Sequence, residues 1–171
     1  MKTIGTILFL APVLLGCNSS LSQTTTSYPR DVGDIFFSPL TDHPHFAPCD
    51  TSKIIHWYNY YVGYQGNTPA IQEIFDLYFS KKPEYRDYSG YVMVRFVLSC
   101  KDEAGMFRAE ACDDSFREID CPETLRNDLI AIVKKLKGWK HAVYEQNDFD
   151  AYMCLTFKMS KGKILQILPL L

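Results

Sequence analysis

The residue types best suited to chemistry in this chain are its four histidines and six cysteines. His43, His45 and Cys49 lie within seven residues of one another, and imidazole and thiolate groups at such short spacing can bind a transition metal. Pro44 and Pro48 make this segment irregular, so a loosely ordered surface arm accounts for the same residues without a metal. We assign no metal ligand and no cofactor, and keep metal or small-molecule binding as an alternative function.

No arrangement typical of a catalytic site stands out. A cysteine nucleophile needs a histidine beside it in space. Cys49 and His56 are close in sequence, but no asparagine or aspartate is signalled as an orienting partner. The paired acids 102–103 and 113–114 lie in or near predicted turns, where solvated carboxylates are expected. The sequence contains no G-x-S-x-G, P-loop or G-x-G-x-x-G motif. We therefore predict that the chain is not an enzyme, with a hydrolase as the weakest alternative.

The first seventeen residues, MKTIGTILFLAPVLLGC, have the order of a secretory signal. Lys2 precedes an apolar run that is shorter than the ~20 residues a membrane-spanning helix needs. Gly16 then stands directly before Cys17, an order that resembles the lipobox of bacterial lipoproteins. The resemblance implies cleavage after residue 16, lipid on Cys17 and a membrane anchor. The alternatives are an ordinary signal peptide or an N-terminal apolar helix, with Cys17 there by chance.

The predicted lipid anchor constrains the cellular compartment of the protein and the pairing of its other cysteines. Asn18, rather than an aspartate, follows the lipid site, which favours an outer-membrane lipoprotein that faces the periplasm. If Cys17 carries lipid, the five remaining cysteines form an odd set in an oxidising compartment, so at least one is free or bridges molecules. Their pairing cannot be read from the sequence. The formal net charge of −2 provides no electrostatic footprint for nucleic acid.

The chain divides into a leader, a tether, an arm and a domain. Residues 1–16 are the leader, and the small polar residues that follow in 17–30 are typical of a flexible tether. Residues 31–61 form a proline-containing arm that ends in an aromatic segment, and 62–169 form the domain. More large aromatics occur in the aromatic segment than one strand face can bury, so some are expected to form an exposed interaction patch. The candidates for this patch are Trp57, Tyr58, Tyr60 and Tyr61.

Hydrophobic periodicity predicts the elements of the domain. Thr68 and Pro69 start a helix with an apolar stripe that ends before Pro83. Asp120 and its capping-box spacing start a second helix that Gly138 ends. Alternating residues predict strands over 91–99, 106–111 and 152–159, with a short last strand over 164–168. The order predicts an α+β domain in which two helices pack on a small antiparallel β-sheet.

The same residues are similar to the TonB C-terminal domain family, over about 62–169. The resemblance rests on an aromatic-glycine entry to the first helix, a G-x-V-x-V-x-F-x-V-like strand, a tryptophan after the second helix and a final strand. The matching segments are Tyr64-Gln65-Gly66, Gly90-Tyr91-Val92-Met93-Val94-Arg95-Phe96-Val97, Gly138-Trp139-Lys140, Leu155-Thr156-Phe157-Lys158 and Gly162-Lys163-Ile164.

The resemblance implies a protein-interaction module. Members of the family capture an extended receptor segment beside an edge strand, and residues 152–159 look like such a strand here. A tether of about 13 residues reaches only tens of Å, so we transfer the fold and not the energy transduction of the family. We expect an envelope protein as the partner, and the sequence does not determine an oligomeric state. The residues expected to meet the partner are Tyr152, Cys154, Thr156 and Lys158.

Overall fold

The computed structural model describes residues 31–32, 35–56 and 62–168. The predictions for the leader, for Cys17 and its tether, and for the aromatic patch at 57–61 lie outside these residues. Within them, no helix is both long enough and apolar enough to cross a membrane.

Eleven strands and two helices make up the described part of the chain. The helices are α1 (Asn67–Tyr78) and α2 (Glu123–Val133), and a 3₁₀ turn covers Pro83–Tyr85. The strands are β1 (Asp31–Val32), β2 (Ile35–Phe36), β3 (Ile55–His56), β4 (Gly63–Tyr64), β5 (Gly90–Leu98), β6 (Ala104–Cys112), β7 (Trp139–Lys140), β8 (Ala142–Tyr144), β9 (Asn147–Phe149), β10 (Ala151–Ser160) and β11 (Lys163–Ile167).

The main sheet has the strand order β11–β10–β5–β6, and all of these neighbours run antiparallel. The short β3 pairs in parallel with the start of β10, where Ile55 lies opposite Ala151. Three two-stranded ribbons lie outside this sheet: β1–β2, β4–β7 and β8–β9. The long β5 and β10 form the centre of the sheet and carry its core.

Both helices pack on one face of the sheet. Val92, Val94, Phe96 and Leu98 of β5 face the helices and are buried, as the alternation predicts. The matching residues of β10 are Met153, Leu155, Phe157 and Met159. The helices contribute Ile71 and Phe75 from α1 and Leu125, Leu129, Ile132 and Val133 from α2. The prediction of two helices on a largely antiparallel sheet is confirmed at the level of a mixed α/β architecture.

The arm packs on the opposite face of the sheet. Ile35 and Phe46 form a second apolar cluster with Val97 and Met106. Phe46 lies directly against Gly105, where any side chain would collide with its ring. The arm is therefore part of the folded unit and covers part of the face that the helices leave free.

An ion pair and a disulfide hold the arm in this position. Arg108 of β6 donates two hydrogen bonds to the Asp42 carboxylate, at 2.8 and 2.7 Å. The disulfide joins Cys49 of the arm to Cys100, just after β5, with the Cα atoms 6.0 Å apart. Of the described cysteines, Cys112, Cys121 and Cys154 are free, whereas the odd count required at least one unpaired within the chain.

Several predicted helix boundaries are wrong. The first helix starts after Gly66, whose φ is +83°, because Ala70 N donates to Gly66 O and closes the first turn before Thr68 can act as a cap. The second helix is preceded by Pro122 without any side-chain cap, so Asp120 caps nothing. It also ends at Val133, because the chain tightens there into i→i+3 hydrogen bonds.

Candidate functional site

The four residues predicted to meet a partner lie on β10, on the face away from the helices, and each is partly buried. Tyr152 stacks on the ring of His56, with centroids 5.2 Å apart. The Cys154 Sγ lies 3.7 Å from Thr156 Oγ1. The Lys158 ammonium lies 5.7 Å from the centroid of a neighbouring ring, Tyr91. These side chains therefore contact their own domain rather than standing free.

The prediction that 152–159 is an edge strand is wrong. β10 pairs with β5 along 151–159, and on its other side with β11 along 157–160 and with β3 at 151–152. Sequence alternation identifies a strand with one buried face, but it contains no information on whether the strand has one neighbour or two. The end strands of the main order are β6 and β11.

The free side of β6 is partly covered by other segments. Arg108 donates a hydrogen bond to Phe36 O of β2. At the other end of β6, Cys112 forms a bridge with Glu118, and Ile119 N donates to Ala111 O. A partner strand would have to displace these contacts before it could pair with β6.

The outer side of β11 has no paired strand among the described residues. β11 is only five residues long, and Leu165 near its centre is 61% exposed. Leu168 N donates to Thr156 O at 2.9 Å, which extends the pairing with β10 beyond the strand end. β11 is thus firmly attached on one side and presents backbone groups on the other.

A cleft of about 310 Å³ runs between β11 and the end of α1. Phe75, Phe79 and Ile164 line it with apolar side chains, and Asp76, Lys81 and Lys163 line it with charged groups. Asp76 accepts a hydrogen bond from Gln72 at 2.7 Å, whereas Lys81 and Lys163 make no ion pair within the described residues. The cleft beside the open strand edge is therefore lined by apolar side chains and by two lysines against one aspartate.

The residues considered for metal binding are only partly brought together. The imidazoles of His43 and His45 lie 5.5 Å apart and line a cleft that also includes Asp102 and Glu103. Cys49 cannot join them as a thiolate ligand, because its sulfur is bonded to Cys100. Two lysines of the α2 end line the same cleft and oppose a cation.

His141 contacts two carboxylates, a contact that the sequence did not single out. Its Nδ1 lies 2.7 Å from Asp102 and its Nε2 lies 3.0 Å from Asp148, so one ring joins the β5–β6 turn to β9. Burial alone would lower the pKa of His141, but the hydrogen bonds and charges of the two carboxylates raise it above its usual value. No local pattern could identify this group, because its partners lie 39 and 7 residues away.

The free thiols are poorly suited to nucleophilic chemistry. Burial raises the pKa of Cys121 to about 11. Burial also raises the pKa of Cys112 and of Cys154. Each therefore remains a protonated thiol at neutral pH, and the thiolate is the reactive form.

No protein-family model matches the chain, and no curated protein and no solved structure matches it either.

Proposed function

We propose that this chain is a lipid-anchored protein of the bacterial cell envelope that binds an extended segment of a partner protein by strand addition at the outer edge of β11. The domain is proposed to belong to the TonB C-terminal-like type, and its role to be binding rather than catalysis. Cys17 is the proposed lipidation site, and the outer membrane, on the periplasmic side, is the proposed location.

The observation that carries the proposal is the combination of an open strand edge with an adjoining cleft. Backbone N–H and C=O groups along a strand edge can pair with any extended chain, and this pairing supplies affinity. Specificity requires pockets for alternate side chains of the added strand, and the cleft between β11 and α1 lies where such side chains would enter. Phe75, Phe79 and Ile164 would contact apolar side chains, whereas Lys81 and Lys163 would favour acidic ones.

The corrected strand order moves the proposed partner-binding residues from β10 to the edge strand β11. A partner strand that paired along β10 from Tyr152 to Lys158 would have to displace β3 at Tyr152 and β11 at Lys158. A proline at Thr156 is therefore an unsuitable test, since it would disrupt an interior strand. Substitutions on the edge strand β11 can test the proposed binding surface without disrupting an interior strand of the sheet.

Site-specific photocrosslinking in intact cells tests the binding surface. A photoreactive amino acid at position 165 replaces an exposed leucine on the edge of β11, and the same group at exposed Phe116 lies beyond the end of β6 and is the matched control. We expect a crosslinked partner from position 165 only. We also expect the crosslink to weaken with Lys81→Glu and Lys163→Glu, because both reverse the charge of the cleft. Equal crosslinking at 165 and 116, or crosslinking at neither position, would contradict the proposal.

The anchor is tested separately. Cys17→Ala is expected to abolish incorporation of labelled palmitate and to move the protein from the membrane to the soluble envelope fraction. Persistent membrane association without label would show that the anchor is not a lipid on this residue.

A further inference from the structure

The arm presents an apolar loop to solvent near its start. This arm loop, residues 36–41, has the sequence FFSPLT and follows the buried Ile35. Leu40 is 93% exposed and Phe36 is 64% exposed, and Pro39 between them is also exposed. One exposed leucine needs no explanation, but three exposed apolar side chains within five residues are a feature that marks an interaction surface.

The arm loop and the segment after it carry no exposed formal charge. Residues 35–49 contain no lysine, arginine or glutamate, although charged residues make up 22% of the whole chain. Their one aspartate is Asp42, whose side chain is 2% exposed and pairs with Arg108. An uncharged apolar loop suits the interfacial region of a lipid bilayer better than it suits a charged ligand.

Hydrogen bonds hold Leu40 in a closed turn. Thr41 N and Asp42 N donate to Ser38 O at 3.2 and 2.9 Å, and Ser38 N donates to Asp42 Oδ2 at 2.8 Å. The same carboxylate is bonded to Arg108, so the turn is attached to β6. Because the loop is ordered before it meets a ligand, insertion of Leu40 would cost little conformational entropy.

The proposed lipid anchor would bring this loop close to a membrane. Only residues 18–30 separate Cys17 from β1, and thirteen residues span at most about 45 Å when fully extended. An anchor at this distance keeps the loop at a high effective concentration beside the bilayer, so a contact that is weak by itself becomes occupied. The arm lies on the sheet face opposite to the helices, so contact through the loop leaves the helices and the cleft beside β11 open to the aqueous phase.

We propose that the arm loop is a membrane-contact site. Phe36, Pro39 and Leu40 insert into the interfacial region of the bilayer, and this contact orients the domain with its helices towards the aqueous phase. The occupant is the lipid itself, without selection for anionic head groups, since the loop offers no exposed charge to pair with them. The inference rests on the proposed lipid anchor and does not depend on the partner-binding surface at β11.

Fluorescence quenching by brominated lipid tests the contact. An environment-sensitive fluorescent amino acid replaces Leu40, and in a second protein it replaces Leu77, a leucine of α1 that is 72% exposed on the helix side. Each mature, lipidated protein is reconstituted into phosphatidylcholine vesicles with or without bromine on the acyl chains. We expect bromine to quench the emission at least about twofold at position 40 and to have little effect at position 77, because an interfacial contact buries a side chain about 5–10 Å into the headgroup and acyl boundary. Equal quenching at both positions, or quenching at neither, would overturn the proposal.

A second form of attachment separates this test from the test of the anchor. A hexahistidine segment in place of residues 1–17, bound to a nickel-chelating lipid in the same vesicles, holds the chain at the membrane without lipid on Cys17. Loss of the native protein from washed vesicles would refute the anchor alone. The nickel-tethered protein is expected to show the same quenching at position 40, and an unquenched fluorophore there would overturn the loop proposal whatever holds the native protein.

Variants distinguish lipid insertion from other occupants of the loop. With the fluorophore kept at position 40, Phe36→Ser is expected to lower the quenching at least about twofold, whereas Leu77→Ser is expected to leave it unchanged. Added phosphatidylglycerol or high salt is expected to have no effect, because the contact is apolar. Equal quenching in the two variants would overturn the proposal. A blue shift of the emission that needs no vesicles would also overturn it, since a second copy of the chain would then cover the loop.

Discussion

Replacing Asp42 by asparagine tests how strongly the arm is attached to the sheet. The Asp42 carboxylate accepts two hydrogen bonds from the Arg108 guanidinium and one from Ser38 N at 2.8 Å. The side chain of Asp42 is 2% exposed and that of Arg108 is 26% exposed, so the pair is buried mainly on the arm side. Asparagine has nearly the same volume but lacks the charge, and therefore isolates the electrostatic contribution.

The expected loss in the free energy of unfolding lies between the values for buried and exposed ion pairs. Removing one partner of a fully buried pair costs about 3–5 kcal/mol, whereas an exposed pair contributes about 0.2–1 kcal/mol. Arg108 keeps its hydrogen bonds to the carbonyls of Phe36 and Phe107, so its charged guanidinium still has hydrogen-bond acceptors. We expect Asp42→Asn to lower the free energy of unfolding by about 2 kcal/mol. With a urea m-value of about 2 kcal/mol/M, the midpoint falls by about 1 M.

A control and a pH series make the measurement specific. Glu110→Gln removes the more exposed ion pair with Arg95 on the same sheet, and is expected to cost at most about 0.5 kcal/mol. Burial alone would raise the pKa of Asp42, but the hydrogen bond from Arg108 holds it below its usual value. The stabilisation is therefore complete above the pKa of the unfolded chain and is lost as pH falls through the folded pKa. A loss for Asp42→Asn no larger than for Glu110→Gln would refute this reasoning.

Two further predictions concern other contacts of the domain. Because two carboxylates raise the pKa of His141, its contribution to the free energy of unfolding is complete below its unfolded pKa of about 6.5 and is lost as pH rises through the folded value. His141→Gln is expected to remove about 1 kcal/mol of this pH dependence between about pH 5.5 and 8.5. The prediction would be contradicted if the free energy of unfolding changed between the two pH values by the same amount in His141→Gln and in wild type. Gly105→Ala is expected to displace Phe46 and lower stability by about 2 kcal/mol, whereas Gly63→Ala, where an added carbon meets nothing, serves as its neutral control. Equal melting temperatures for the two variants would be inconsistent with a packed arm.

Much of the main sheet was predictable because its signals are local. The alternation in 91–99 and 152–159 places the correct side chains towards the helices, since the pleat of a strand imposes a period of two. The apolar stripe after Pro69 identifies α1 in the same way. The hairpin β8–β9 was missed, because its turn uses positive φ at Glu145 and Gln146, which carry no glycine signal.

The candidate binding surface was only partly predictable. A partner-binding edge was expected at 152–159, but β11 covers that strand and becomes the edge itself. The cleft beside it joins Phe75 of α1 to Ile164, which are far apart in the chain. The disulfide partners were left open for a similar reason, since a separation of 51 residues is determined by packing of the arm and not by spacing.

The sequence by itself determined the two helices, the long strands of the main sheet and which of their faces are buried. These properties depend on neighbours within a few residues, so periodicity and composition are enough to specify them. The tertiary structure alone decided that β10 is interior, that the arm packs on part of the second sheet face, and that Asp150 accepts hydrogen bonds from Asp50 N and Cys100 N, beside the disulfide. Each of these depends on contacts between distant segments, whose geometry is set only when apolar faces pack together and buried polar groups find their partners.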